Sequence, residues 1–480
     1  MLRRTFLAVL AQSKPRMNVL LIGVDDLRPE LGCYGAKHIH SPNIDALASR
    51  GTVFTKAYCQ QAVCSPSRTS LLTGLRPDTT KIYDLQHHFR GTIPDAVTLP
   101  EYFKNNGYTS TGLGKLFHGG LDDAPSWTIP WWGPNMRYDW NSAESRSRAQ
   151  RIHEQLKAKN WTIEPTGSPA GTRGPSWQSV ESNEDELPDN RTTAQAITAL
   201  KELKGKPFFL GVGFAKPHLP FIAPKRFFDL YPLRKVEMPD YPEPPTGAPS
   251  FAGTNSGELR SYGDIGNGPI SSEKARELVR AYYACTSYTD ENIGKILNEL
   301  DRQGLRDNTM VVLFGDHGWH LNNHGNWNKH TNYEKATNSL LIASMPGQKQ
   351  RGATCDRLVE FIDIYPSFAE GAGLPAPAKV QGTSFVPLLN NPTAKGKPVA
   401  LSQYPRTYEK QQLMGYSVRD ERFRYTEWRK RDTKEVIARE LYDYKEDPQE
   451  SANRATRPEL QSQIKTMSDH IDRLTAPSPQ

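Results

Sequence analysis

Asn18-Val-Leu-Leu-Ile-Gly-Val24, running directly into Asp25-Asp26, is the stretch from which the fold can be read. It shows neither the alternation of a half-buried strand nor the stripe of an amphipathic helix. A continuous apolar run of this length fits a strand covered on both faces. Thr109–Leu113, Phe208–Phe214 and Thr309–Phe314 have the same character, and Leu340–Ala343 is a shorter candidate. Helical patterns lie between them: Ser41–Gly51, Ser67–Thr73, Leu99–Asn106, Thr192–Lys204 and Glu273–Leu300. The first carries Pro42 in its opening turn and closes at Gly51, as helix boundary chemistry requires. Buried strands alternating with helices predict an α/β fold, a large mostly parallel sheet sandwiched by helices. Near residue 396 the pattern changes to short alternations, Tyr416–Val418 and Phe423–Trp428, followed by a helix over Pro458–Leu474. This predicts a small C-terminal α+β unit with an antiparallel sheet. The expected division is 1–16 as a leading segment, 17–395 as the main domain and 396–480 as the C-terminal subdomain. Asp122–Asn190 and Leu233–Asn267 lack periodicity and read as long loops, which in compact domains commonly carry function.

The 480 residues are 36% hydrophobic, 10% aromatic and 24% charged, which excludes wholesale disorder, collagen and coiled coil. The net charge of +7, from 60 basic and 53 acidic residues, is compatible with an anionic substrate. No Lys/Arg-rich run, zinc-finger spacing or RNA-binding aromatic signature occurs, so no nucleic-acid partner is expected. The 5 cysteines are odd in number and form no C-x-x-C pair, which argues against a disulfide framework. No apolar run is long enough to span a bilayer, so no stable membrane insertion is expected. Arg3 and Arg4 before Phe6–Leu10, with Val9-Leu10-Ala11 as a cleavage site, read as a short export signal, the alternative being an unstructured start. With so few cysteines, the expected location is periplasmic or secreted, in a bacterium.

In open parallel sheets, ligands bind beyond the carboxyl ends of the strands. There the chain places Asp25 and Asp26; Lys115 and His118; Lys216 and His218; and Asp316 and His317. Alone, Asp25-Asp26 is an ordinary turn or cap. Beside Asp316 it becomes a cluster of carboxylates whose repulsion a divalent cation would relieve. Ligand chemistry alone leaves calcium, manganese and zinc open. His317, His320 and His324 invite a three-histidine zinc reading, but Gly318 and Gly325 interrupt the segment. Lys329 is a solvated lysine unless its loop returns it to the rim. Cys64, ahead of Ser65-Pro66-Ser67-Arg68, fits either a small buried side chain before a helix or a thiolate activated by Arg68 and the helix N-terminus.

A third reading comes from resemblance. Cys64-Ser-Pro-Ser-Arg-Thr-Ser-Leu-Leu-Thr-Gly74 resembles the type I sulfatase signature, C-x-P-S-R followed by L-L-T-G, in which the cysteine is oxidised to Cα-formylglycine. Asp25-Asp26, Gly114-Lys115-Leu116-Phe117-His118, Lys216-Pro217-His218-Leu219-Pro220-Phe221 and Asp316-His317-Gly318 through Lys329 are similar to the family's other blocks. Arg76-Pro77-Asp78-Thr79-Thr80, Gln403-Tyr404-Pro405-Arg406, Met414-Gly415-Tyr416-Ser417 and Glu440-Leu441-Tyr442-Asp443 resemble the iduronate-2-sulfatase-like branch of this group, within the alkaline phosphatase superfamily.

The resemblance implies a sulfuric ester hydrolase with formylglycine at position 64. It implies one Ca²⁺ per chain held by Asp25, Asp26, Asp316, His317 and residue 64. Many sulfatases carry Asn where His317 stands; the iduronate-type branch has this histidine with calcium. Arg68 would hold the formylglycine, Lys115 and Lys329 would clamp sulfate, and His218, or in its place Lys329, would protonate the leaving alcohol. His118 would assist release of sulfate. Substrates implied are sulfated oligo- or polysaccharides, either a uronate type such as 2-O-sulfated iduronate or an algal fragment. The implied partner is a formylglycine-generating or sulfatase-maturating enzyme. Arg406 and Lys410 would meet a substrate carboxylate, or else form a solvated basic face. Trp127, Trp131 and Trp132 would form a sugar-stacking wall, or else anchor loops. Two rivals remain: a phosphonate monoester or phosphodiester hydrolase of the same superfamily, and a non-catalytic binder of sulfated glycans.

Overall fold

The computed structural model describes residues 16–134, 174–181, 184–239, 241–375, 377 and 379–476. The export signal read at residues 1–11 and the stretch 135–173 of the long insertion lie outside the described residues. Asn18–Val24 forms the predicted strand and sits inside an eight-stranded sheet. Across that sheet the order is Ala353–Cys355, Thr52–Phe54, Leu341–Ser344, Thr309–Gly315, Asn18–Val24, Phe208–Phe214, Thr109–Gly114 and Ile129–Trp132. Leu341–Ser344 runs against both of its neighbours, and the other pairings are parallel. The sheet is therefore mostly parallel, with its long central strands all pointing one way.

The reason for the apolar run is visible in its packing. Leu20, Ile22 and Val24 enter one core, with Ala196, Leu200, Leu278, Tyr282 and Ile296 from the helices Pro188–Glu202 and Ser272–Arg302. Val19 and Leu21 enter a second core, with Leu71, Leu72, Phe103, Ile364 and Phe368 from helices on the opposite face. Every residue of the strand is buried, as a helix–sheet–helix sandwich demands. The predicted helices are present with shifted ends. The one expected at Thr192–Lys204 begins at Pro188, and the one expected at Ser67–Thr73 begins at Cys64. Thr52–Phe54, Ile129–Trp132 and Ala353–Cys355 are too short to leave a pattern in sequence.

At the C-terminus, Ala400–Tyr408, Gln411–Arg419, Phe423–Lys430 and Val436–Asp443 form an antiparallel sheet in sequential order. One face is covered by the helix Gln461–Thr475 through Ile464, Met467 and Ile471. The other presses Leu413, Trp428 and Tyr442 onto Tyr333 and Ala252 of the main body. Among the described residues no helix is long and apolar enough to cross a membrane.

One glycine is required for the rim of the sheet. Gly114 closes its strand at φ +68°, where side chains are disfavoured, and a Cβ there would lie 2.2 Å from the Gly213 carbonyl oxygen. The turn it allows delivers Lys115. Gly114→Ala is expected to cost about 2 kcal/mol or more, combining backbone strain with a steric clash. Denaturant unfolding checks this: an unchanged midpoint would show that the turn tolerates a side chain.

Candidate active site

The helix Cys64–Thr73 is buried along its whole length. Val63 is extended and serves as the N-cap, so Cys64 occupies the first helical position. Arg68, four residues later, lies on the same face one turn on. Its side chain is fully buried. Nε donates to Asp316 Oδ2 at 2.9 Å, Nη2 lies 3.5 Å from Asp25 Oδ1, and Nη1 donates to the carbonyls of Lys115 and Leu116. A single guanidinium thus grips the segments that leave three strands.

The ligating atoms of Asp25, Cys64, Asp316 and His317 all lie within 4.8 Å of one another. Cys64 Sγ is 3.3 Å from His317 Nε2. His317 engages the Gly318 carbonyl through Nδ1 at 3.0 Å, which leaves Nε2 facing Asp26 at 3.5 Å and Asp316 at 3.6 Å. Asp26 has left-handed backbone (φ 61°), and its N–H donates to Asp316 Oδ1 at 3.0 Å. Asp25 Oδ1 and Asp26 Oδ1 are buried and make no hydrogen bond. Burial raises the Asp26 carboxyl despite Lys329 nearby. Burial acts on Asp25 too, but Lys115, His218 and Arg68 hold that carboxyl well below the usual range. Burial, with Asp25 beside it, pushes the Cys64 thiol well up, an environment that disfavours a thiolate. Buried carboxylates with unused oxygens plus one imidazole nitrogen fit a divalent cation. His320 and His324 stand apart from this cluster. His320 Nε2 bonds to the Thr331 hydroxyl at 2.9 Å, and His324 packs on the Tyr333 ring at 4.9 Å.

Cationic groups line the same rim. Lys115 Nζ pairs with Asp25. Lys329 is buried, not solvated, with Nζ 3.1 Å from Asp26 Oδ1 and 2.8 Å from Glu258 Oε2. His218 Nε2 lies 2.9 Å from Glu258 Oε1 and 3.8 Å from Asp26 Oδ2, while Nδ1 faces the Leu219 carbonyl. Acceptors at both ring nitrogens suit a proton donor. His118 is driven down to about 3 by burial and by Lys115, and its buried Nδ1 makes no hydrogen bond. It is therefore neutral in this setting. Lys216 plays a different part: Nζ donates to the carbonyls of His218 at 2.7 Å and Pro220 at 2.6 Å, propping the loop that presents His218.

Three expectations change shape here. Arg406 donates to the carbonyls of Phe251, Gly253 and His330 and covers the Tyr404 ring, so its guanidinium fastens loops. Trp127 is buried against Phe117 in the core, whereas Trp131 is exposed and donates to the Gly114 carbonyl at 2.8 Å, beside Lys115. Glu258, on the short helix Gly257–Arg260, was not expected at all. It is one acid in a stretch that reads as Pro/Gly-rich loop, and only folding brings it between His218 and Lys329. Burial opposes its charge, yet Lys329 and His218 hold its carboxyl well below the usual range.

The Sulfatase family pattern matches residues 17–374, and that of the N-sulphoglucosamine sulphohydrolase C-terminal region matches residues 322–477. The chain belongs to the sulfatase family. Human iduronate 2-sulfatase is 35% identical over 91% of this chain and 90% of the relative, which supports the iduronate-2-sulfatase-like branch. Among solved structures, one in complex with its substrate D-glucosamine-2-N,6-O-disulfate superposes with a TM-score of 0.74 at 23% identity, covering 96% of this chain and 98% of that one. The phosphonate monoester hydrolase of Agrobacterium radiobacter gives 0.75 at 21% identity, covering 96% of each. These structural likenesses show the alkaline phosphatase-like fold. Family membership makes the chain an enzyme, a sulfuric ester hydrolase.

Two outcomes are expected of the sulfatase. Stripping divalent cations with a chelator should lower its thermal midpoint, and restoring calcium at about a hundred times its Kd should return roughly 2.7 kcal/mol. Calorimetry checks this, and equal midpoints with and without the ion would show that the cluster holds none. Glu258→Gln keeps the shape and removes the charge that His218 and Lys329 share. It should lower kcat for a sulfate ester about ten- to a hundred-fold with little loss of stability. Steady-state kinetics beside a melting curve would separate the two effects.

Proposed function

We propose that this sulfatase hydrolyses sulfate esters of a uronate-type saccharide such as 2-O-sulfated iduronate, or of an algal polysaccharide fragment, using formylglycine formed from Cys64 and one calcium ion. The observation that carries the reading is the position of Cys64. It stands within ligand distance of Asp25, Asp316 and His317, with Lys115, His218 and Lys329 on the same rim. The likeness to human iduronate 2-sulfatase supports the saccharide class. A formylglycine-generating or sulfatase-maturating enzyme would be the partner, and a bacterial periplasmic or secreted setting agrees with the export signal read in the sequence.

When bound, calcium would neutralise charge on the sulfate oxygens, and hydrated formylglycine would provide an oxygen nucleophile. Asp25, Asp26, Asp316 and His317 would hold the cation. Arg68 keeps Asp25 and Asp316 in place with a charge that persists at any working pH. Lys115 and Lys329 are placed to bind the non-bridging oxygens, which carry more negative charge as the ester bond breaks. His218 is oriented to hand a proton to the departing alcohol oxygen, with Glu258 holding its ring. His118, whose buried Nδ1 makes no hydrogen bond, would assist release of sulfate. Water exclusion by the buried rim strengthens each of these charge contacts.

Cys64→Ala is expected to fold normally and to release no sulfate from a panel of 2-O-sulfated iduronate saccharides, other glycosaminoglycan sulfates, and ulvan, fucan and carrageenan fragments. Wild-type protein with mass-confirmed oxidation at position 64 should act on one class. Faster turnover of phosphonate monoesters or phosphodiesters than of any sulfate would reverse the substrate assignment, and sulfate release by Cys64→Ala would overturn the mechanism.

A further inference from the structure

A second cleft, of about 660 Å³, lies between the segment that follows the nucleophile helix and the C-terminal sheet with its helix. Its size is that of a small-ligand site, about 300 to 1,000 Å³. The acids in its walls are already engaged. Asp78 accepts hydrogen bonds from Tyr83 at 2.9 Å, Gln403 at 2.9 Å and Tyr416 at 2.6 Å. Asp472 pairs with Arg429 at 2.7 Å. Three cations on the rim, Lys81, Arg431 and Lys434, are exposed and have no carboxylate partner among the described residues. Arg431 lies over the Tyr83 ring at 4.7 Å, which supports its guanidinium and leaves N–H groups at its edge for an anion. Lys81 is the left-handed C-cap of the helix Pro77–Thr80, and Lys434 is a left-handed residue of the hairpin turn between Phe423–Lys430 and Val436–Asp443. The cleft is separate from the catalytic rim. On the strand Ala400–Tyr408, buried Gln403 bonds to Asp78 behind the cleft, while the adjacent Tyr404 lies 5.9 Å from His330, next to Lys329.

We infer that this cleft binds an anionic saccharide unit, one bearing sulfate or carboxylate, at a distance from the ester being cleaved. Unpaired cations beside tyrosine rings supply the two contacts such a unit offers, charge-assisted hydrogen bonds to its anions and packing against its ring carbons. The inference rests on the saccharide-sulfatase reading for its choice of an anionic saccharide over other anions. It assigns Lys81, Arg431 and Lys434 to holding polymeric substrate, with no part in bond cleavage.

The test uses full-length Cys64→Ala protein, which binds without turning over, and size-defined sulfated glycosaminoglycan oligosaccharides. Calorimetric titration should show that adding Lys81→Ala, Arg431→Ala and Lys434→Ala together weakens a dodecasaccharide about ten-fold or more. The same three changes in the Cys64-containing, oxidised enzyme should leave kcat/KM for a monosaccharide sulfate within about two-fold of the parent and raise KM for the long chain. These residues are exposed and outside any ion pair among the described residues, so the variant is expected to melt close to the parent. Dodecasaccharide affinity unchanged in the triple variant overturns the proposal. So does an equal loss toward polyglutamate, which would mark simple positive charge. Loss of oligosaccharide binding in a protein that releases no saccharide sulfate would keep the cleft and discard the substrate reading. Saccharide desulfation with undiminished binding in the variant would do the reverse.

Discussion

The rim is organised around the buried guanidinium of Arg68. Its four contacts fall on Asp25, Asp316 and the carbonyls of Lys115 and Leu116, which leave three different strands of the sheet. A buried charge is tolerable only when neutralised and hydrogen-bonded, and removing one partner of such a set costs roughly 3–5 kcal/mol. The arginine therefore cannot be satisfied unless those segments arrive together. Because it is carried by the same short helix as Cys64, seating Arg68 also fixes where Cys64 stands.

From that anchor, an alternation of charge follows. Lys115 and Lys329 each pair with one carboxylate of the Asp25-Asp26 pair, and Glu258 sits between Lys329 and His218. Asp25, Asp26 and Lys329 are buried and Lys115, Glu258 and His218 partly so, and each neighbour's charge is screened less than in water. A sulfate ester entering this ring meets cations already held in position, and no reorganisation is needed as charge develops. Oδ1 of Asp25 and Oδ1 of Asp26 are left without hydrogen bonds in this arrangement, and a divalent cation would use them.

The same device fastens the C-terminal sheet. Arg424 is buried and lies 3.1 Å from Glu450 while pairing with Glu334 on the main body. Arg76 meets Glu360 through two hydrogen bonds, at 2.6 and 2.9 Å, and Lys397 joins Glu360 at 2.6 Å. Arg406, tied to loop carbonyls, joins this fastening. Rigidity of that joint matters because Tyr404 of the Ala400–Tyr408 strand lies against His330, next to Lys329 of the rim.

The central strands, the helices between them, the antiparallel C-terminal sheet and the residues Asp25, Asp26, Cys64, Arg68, Lys115, His218, Asp316, His317 and Lys329 could all be named from sequence. Double-sided burial forces continuous apolar runs, and the rule that ligands gather at strand ends turns each run into a pointer at the residues after it. Short edge strands were not legible, since three or four residues carry no period. Nor was Glu258, whose partners lie at His218 and Lys329 and whose surroundings read as loop. The part Lys216 plays in propping a turn was hidden too, because its place just after a strand groups it with the residues of the rim. Sequence by itself determined which side chains are available and which end of the sheet they reach, since those depend on local pattern and chain direction. Which of them touch, which are neutral, and which are spent on backbone carbonyls was decided only by the tertiary structure, because contact and desolvation depend on segments hundreds of residues apart arriving at one buried point.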